Sequence, residues 1–201
     1  MNGARVSFNQ ASDEMGERDG GLIRFLMRER HGSPFEHGYF RFVVKAPLFV
    51  VREHHRHRAG HSYNEWSGRY SKMEPEFYVP ENVRTQVGKP GAYTFEPVPD
   101  EVRENAQREI EENATRAFQA YERMLEQGVA KEVARAVLPL STYTKYYWSC
   151  NPRSLMHFCS LRNHEAAQFE IRQYAAAAES FLEQQMPVTH AAFVANDRIA
   201  P

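Results

Sequence analysis

Apolar positions recur along this chain with two periods, and the switches between them predict its elements. Val102, Ile110, Ala114, Ala117, Tyr121, Met124 and Leu125 approximate one stripe of a long α-helix. That helix begins at Asp100, a suitable N-cap, and stops at Gly128. "GGLIRFLMRERHG" reads as a shorter amphipathic helix closed by Gly32. "YFRFVVKA", Tyr39 to Ala46, is rich in β-branched and aromatic residues and reads as a strand. Pro47 then suits the first turn of a helix through "PLFVVREHHRHRAG", ended near Gly60. "PEFYVP" is a short extended piece, and "AKEVARAVLP" a short helix stopped by Pro139. "TYTKYYWSC" reads as a second strand, and "PRSLMHFCSLR" and "EAAQFEIRQYAAAAESFLEQQM" as two further helices. Strands separated by helices place the chain in the α+β class, or in α/β with a small sheet.

Composition narrows this picture. A chain of 201 residues, 42% hydrophobic and 25% charged, can bury one sizeable core and is expected to form a single domain over 1–201. No apolar run approaches the roughly 20 residues that span a bilayer, and "MNGARVSFNQASDEMG" lacks the apolar region of a signal peptide. Two cysteines, Cys150 and Cys159, suit a reducing cytoplasm better than a disulfide scaffold. Both sit in apolar surroundings that should raise a thiol pKa, so neither is expected to be an activated nucleophile.

The net charge is only −1. Positive charge is nevertheless crowded into "VREHHRHRAGHSYNEWSGRY", Val51 to Tyr70. Arginine and histidine are favoured in the last turn of a helix, which is one reading of Arg56, His57 and Arg58. Arg52 and Arg56, four apart on a helix, would instead repel unless an anion lay between them. A metal is disfavoured, because a dication beside three guanidinium groups is repelled and neither HExxH nor CxxC occurs. A nucleic-acid polymer would find aromatic platforms in Tyr63, Trp66 and Tyr70, but no wider basic surface. A small nucleotide fits better. Gly68 permits close backbone approach, Ser67 and Arg69 can donate to phosphate, and Glu65 can accept from a ribose hydroxyl or a base edge.

These residues also carry a resemblance. "RHRAGHSYNEWSGRY" is similar to the signature of the flavin-dependent thymidylate synthases, also called thymidylate synthase complementing proteins: RHR, a spacer, then serine. The spacer "AGHSYNEW" is one residue longer than the common one. "HGSPFEH", "KAPLFVVREHHRHR", "VARAVLP" and "NPRSLMHFCSLR" resemble four further family elements, in order, between Ala4 and Tyr174. The resemblance implies a family-specific, non-Rossmann flavin-binding fold, with a small, mostly antiparallel sheet packed with several helices. The absence of G-x-G-x-x-G agrees with that, and arginine and histidine side chains are expected to substitute for a helix N-terminus at the flavin. The resemblance implies reductive methylation of dUMP to dTMP, with methylenetetrahydrofolate as carbon donor and NADPH-reduced FAD as hydride donor, in a cytoplasmic homotetramer.

Carried over residue by residue, the resemblance gives FAD contacts to His31, Ser33, Arg56, His57, Arg58, Glu65, Asn151, Arg153 and His157. It gives dUMP contacts to Glu53, Arg56, Glu65, Trp66, Ser67, Gly68, Arg69, Arg135 and Arg162, with the phosphate on Ser67, Gly68, Arg69 and Arg135. Arg162 is the expected catalytic group, stabilising negative charge on the uracil ring; no metal is expected. The chain departs from the pattern at Glu53, where relatives often have glutamine, at Ala166, where many have histidine, and at Trp66. The family's N-terminal strand is nearly absent, since "ARVSF" starts at Ala4. An inactive or altered nucleotide- or flavin-binding relative is the alternative.

Overall fold

The structure, a computed structural model, describes residues 2–5 and 16–201. The expectation about an N-terminal strand falls largely outside those residues; residues 2–5 form a single turn, α1 (Asn2–Arg5). The remaining elements are α2 (Glu17–Arg28), β1 (Phe40–Pro47), α3 (Leu48–His54), β2 (His61–Glu65), β3 (Arg84–Lys89), β4 (Ala92–Pro97) and α4 (Asp100–Glu126). After them come α5 (Lys131–Ala134), β5 (Tyr143–Cys150), α6 (Pro152–Arg162), α7 (Phe169–Gln185) and α8 (Pro187–Ala195). β1, β5 and β2 form a three-stranded sheet in the order β1-β5-β2, and β3 and β4 an antiparallel hairpin. The class is α+β, as expected.

The chain forms two compact units. The first comprises Met1–Val43, Glu53–Tyr63 and Tyr147–Pro201. In it α6 packs on α7, α7 on α8 and α8 on α2. Its core contains Met27, Leu155, Met156, Phe158, Ile171, Leu182 and Phe193, all fully buried. The alanine run of α7 lets α6 approach closely, and the Cys159 thiol lies 3.8 Å from the Ala175 carbonyl. α8 is an element that periodicity does not separate from α7. Met186 precedes proline and leaves the helical region (φ −138°, ψ 59°), and Pro187 restarts a helix at its first position. Buried Glu179 ties this end together, accepting from Asn163 Nδ2 at 2.7 Å and Arg198 Nε at 2.9 Å.

α2 begins at Glu17, earlier than its apolar pattern implies, with the Gly16 amide donating to Asp19 Oδ2 at 2.6 Å. It is closed by Arg30, not by Gly32. Arg30 takes a left-handed φ of 58°, the Arg30 amide donates to Met27 O and the His31 amide to Leu26 O. This is a Schellman closure made without glycine.

The second unit comprises Val44–Arg52 and Asn64–Tyr146. Met73, Phe118, Tyr121 and Ala134 form its core, flanked by Trp66, Phe77, Met124, Leu125, Val129 and Leu138. The stripe predicted on α4 omits Phe118, which is buried, and includes Val102, which is half exposed. Pro99, in extended conformation, occupies the N-cap position given above to Asp100, and Asp100 pairs with Arg103 in the first turn. The β3–β4 hairpin turns at Pro90–Gly91, with Gly91 at φ 86°. "KPGA" is a turn signal of this type, and Tyr93, Thr94, Phe95 and Glu96 alternate after it, but "RTQVGK" before it carries a single large apolar residue, so only one arm of the hairpin shows a strand pattern.

The largest correction concerns the basic stretch. α3 starts one residue after Pro47, where the Leu48 and Phe49 amides bond to the Thr142 and Leu140 carbonyls. It ends at His54, six residues before Gly60. Beyond it the bonds become i→i+3, Arg56 to Glu53 and His57 to His54. The Tyr63 hydroxyl donates to the His57 carbonyl at 2.8 Å and lies 3.3 Å from that of His54. Those are the carbonyls a continuing helix would need. Arg52 and Arg56 therefore share no helical face, and Arg56, His57 and Arg58 belong to a loop that leads into β2, a strand the periodicity does not reveal.

Candidate functional site

Two cavities, one within each unit, gather part of the expected residues; Arg162, Glu53 and Arg56 line neither of them. In the first unit a cavity of about 610 Å³ is lined by Asn151, Arg153, Ser154 and His157 of α6, by Ala59 and Gly60 of the loop after α3, and by Arg30, Glu36, Ala200 and Pro201. Asn151 caps α6, its side chain accepting from the Ser154 amide at 2.8 Å, and Pro152 follows at the first helical position. The positive end of an eleven-residue helix thus borders this cavity. A helix terminus is present after all, beside the arginine and histidine side chains expected to substitute for one. The Arg153 guanidinium donates to the Pro201 carbonyl at 2.7 Å and to Glu36 Oε1 at 2.6 Å.

The loop approaches α6 closely because Gly60 permits it. Gly60 has φ 72°, and a Cβ there would sit 2.1 Å from Ser154 Oγ. Ser154 Oγ in turn donates to the Ala59 carbonyl at 3.0 Å. From sequence, Gly60 carries only the role of a helix stop. Its location inside the longer spacer is the available signal.

Arg162, at the last turn of α6, donates from Nε to His57 Nε2 at 2.9 Å and from Nη1 to Glu53 Oε1. His57 can accept this bond only when Nε2 is unprotonated. Burial, and then the Arg162 charge, lower its pKa to about 4. Glu53 serves as an acceptor for Arg162. His54 lies beneath this arrangement, its ring 4.4 Å from Trp148 and 4.7 Å from Phe158. Burial, with the neighbouring His55, lowers its pKa to about 2. His61 accepts from Trp148 Nε1 at 2.8 Å, and burial followed by His157 lowers it to about 4.

These three histidines set a pH response. In the unfolded chain each titrates near 6.5. Between pH 6.5 and about 4 the unfolded chain therefore binds protons that the folded chain excludes, so stability falls as pH falls. We expect a thermal midpoint that is level above pH 7 and drops at every step from pH 6.5 to 4.5. A midpoint unchanged down to pH 5, followed by scanning fluorimetry, would contradict the burial of these rings.

In the second unit a smaller cavity of about 180 Å³ is lined by Leu48, Glu65, Trp66, Ser67, Gly68, Met73, Arg135, Leu138 and Thr144. Gly68 is buried, and a Cβ there would lie 2.7 Å from Met73 Sδ and 3.4 Å from Arg135 Cδ. The Arg69 amide faces Ser67 Oγ at 3.3 Å, and its Nε pairs with Glu132 at 3.3 Å. Glu65, Trp66, Ser67, Gly68 and Arg135 are thus brought to one cavity, with Arg69 next in the chain. Of the flavin-side expectations, Asn151, Arg153 and His157 line the larger cavity. His31, Ser33, Arg56 and Arg58 are exposed in the first unit without lining it, His57 is buried beside Arg162, and Glu65 lies in the second unit. Ala166 sits in an exposed turn, its amide 3.1 Å from His164 Nδ1.

Both cysteines are free and buried. Burial pushes the Cys150 thiol up to about 12 and raises Cys159 further, so no thiolate is available near neutral pH. Among the described residues no helix is long and apolar enough to cross a membrane.

The family model for the thymidylate synthase complementing protein matches residues 1–188. A flavin-dependent thymidylate synthase of Streptomyces coelicolor is 49% identical over 212 residues, covering 98% of this chain and 86% of that protein. One from Tropheryma whipplei is 46% identical over 204 residues, covering 97% and 85%. Among solved structures, the UMP/dUMP methylase PolB from Streptomyces cacaoi bound with 5-Br dUMP superposes with a TM-score of 0.89 at 42% identity, covering 98% of this chain and 90% of that one. The same enzyme bound with 5-Br UMP gives 0.90 at 43% identity, covering 100% and 90%. These likenesses lead to one conclusion: the chain belongs to the thymidylate synthase complementing protein family, the flavin-dependent thymidylate synthases.

Proposed function

We propose that this chain is a flavin-dependent thymidylate synthase that methylates dUMP reductively to dTMP. The observation that carries the reading is the smaller cavity, where Ser67, Gly68 and Arg135 offer donors and positive charge and Glu65 offers an acceptor. A nucleoside monophosphate needs that combination. The phosphate would rest on Ser67, Gly68, Arg69 and Arg135, with guanidinium groups matched to its oxygens.

The larger cavity fits a flavin nucleotide in the chemistry of its donors. Asn151, Arg153, His157 and the α6 N-terminus present hydrogen-bond donors and positive charge, which an anionic dinucleotide such as FAD requires. His31, Ser33, Arg56, His57 and Arg58 are the further residues assigned to it by family likeness. When bound and reduced by NADPH, the flavin supplies the hydride that completes the methyl group derived from methylenetetrahydrofolate. The protein's share is electrostatic. The buried thiols offer no nucleophile, so the Arg162 guanidinium, aimed by His57 and Glu53, stabilises negative charge on the pyrimidine ring. Arg56, Glu53 and Trp66 are assigned to the nucleotide on the same likeness, and the working assembly to a cytoplasmic homotetramer.

The test is direct. The purified protein should be yellow, dUMP should perturb its flavin absorption, and it should form dTMP when given dUMP, methylenetetrahydrofolate and NADPH. A solved relative acts on UMP as well as dUMP by its description, so both nucleotides belong in the assay. A protein that holds flavin yet forms no methylated product from either would be an altered relative, and the proposal would fail.

A further inference from the structure

β2 ends at Glu65, and the Trp66 amide bonds to the Lys145 carbonyl at 2.9 Å, which fixes this end of β2 beside β5. That pairing sets Thr144 of β5, only 2% exposed, next to Glu65. Thr144 Oγ1 donates its single proton to Glu65 Oε1 at 2.7 Å. Both side chains line the smaller cavity together with Ser67, Gly68 and Arg135.

The polar groups there divide by role. Ser67, the backbone at Gly68 and the arginines donate; ionised Glu65 can only accept. With Oε1 held by Thr144, Oε2 faces the remaining task, and it selects a ligand group bearing a proton. In a nucleoside 5′-monophosphate anchored by its phosphate, the 3′-hydroxyl of the sugar is the nearest such donor. The pyrimidine N3–H lies at the far end of the molecule.

We propose that Thr144 is a positioning residue for Glu65, and that the carboxylate so fixed accepts from the sugar 3′-hydroxyl of the bound nucleotide. The proposal rests on the functional reading above and deepens it. A free carboxylate at the end of an exposed strand would sample several rotamers, and the buried hydroxyl, itself held in β5, removes that freedom before the ligand arrives.

The experiment measures the Kd of dUMP and of 2′,3′-dideoxyuridine monophosphate by calorimetry for the flavin-loaded enzyme and two variants. Thr144→Val, which keeps the shape and deletes the hydroxyl, should weaken dUMP about 10-fold and raise its KM in parallel, while leaving the dideoxy analogue within about twofold. Thr144→Ser should restore the preference for dUMP. A merely structural role for Thr144 would weaken both nucleotides together. Equal losses for the two ligands, or no loss for dUMP, overturn the proposal. Failure of the unaltered protein to bind dUMP at all would overturn the functional reading, and the proposal with it.

Discussion

Replacing Arg162 with alanine is expected to cut dTMP formation by about 100- to 1,000-fold while flavin stays bound. One preorganised donor aimed at developing charge is worth about 3–4 kcal/mol of transition-state stabilisation. Here no thiolate can share that role, because both cysteines are buried with raised pKa values. Arg162→Lys should recover little. A lysine ammonium cannot bond to His57 Nε2 and Glu53 Oε1 while presenting a further planar N–H to the pyrimidine. Each side chain of the Arg162–Glu53 pair is only 21% exposed, so the loss leaves Glu53 short of its partner and should also lower the thermal midpoint by a few °C, with the fold still assembled. The measurement pairs kcat for dTMP with the flavin content of the same sample. Turnover within a few-fold of the unaltered enzyme would remove Arg162 from the catalytic role.

The second large effect is expected at Gly60. Alanine at φ 72° costs about 1–2 kcal/mol from the left-handed backbone alone. Its Cβ would also lie 2.1 Å from Ser154 Oγ and 3.1 Å from Asn151 Nδ2. Relieving that clash breaks the Ser154–Ala59 bond and pushes the loop away from α6, opening the wall of the larger cavity. Gly60→Ala should therefore lower flavin retention at least 10-fold and the thermal midpoint by about 5–10 °C, taking roughly 2–4 °C per kcal/mol for a chain of this size. Adding Ser154→Ala removes the nearest clashing atom but not the backbone strain, so the double variant should regain part of the midpoint. Dialysis followed by flavin absorption, with scanning calorimetry, reads both. Full flavin retention in Gly60→Ala would show that the close approach of the loop to α6 has no bearing on the cofactor.

Elements that follow one clean period are legible in the amino-acid pattern. α4 and α6 lie where their apolar positions put them, and β5 where its alternating Thr144, Tyr146 and Trp148 do, although its end, Trp148 to Cys150, is buried on both faces. The basic stretch is not legible in the same way. Val50 and Val51 are buried and continue a helical pattern into which Arg56 and Arg58 also fit. What ends the helix at His54 is a hydroxyl nine residues further on, Tyr63, competing for its carbonyls. No local propensity encodes that. The closure of α2 by Arg30 is similar, a left-handed residue whose type does not announce it.

Site residues show the same division. Ser67, Gly68 and Arg135 can be paired through the family pattern, and they do share a cavity. Thr144 cannot, because a threonine in an aromatic strand looks like sheet packing until its hydroxyl is found on Glu65. The grip of Glu53 and His57 on Arg162 also spans more than a hundred residues of sequence. Neither period nor spacing links them, and only the folded first unit does.

The depth of the two sulfur atoms has a consequence for chemical survival. Alkylating agents and peroxides attack the deprotonated, accessible form of cysteine. This chain offers them neither accessibility nor ionisation at Cys150 or Cys159. Oxidative or electrophilic assault that silences sulfhydryl-dependent catalysts thus finds no foothold on these two residues.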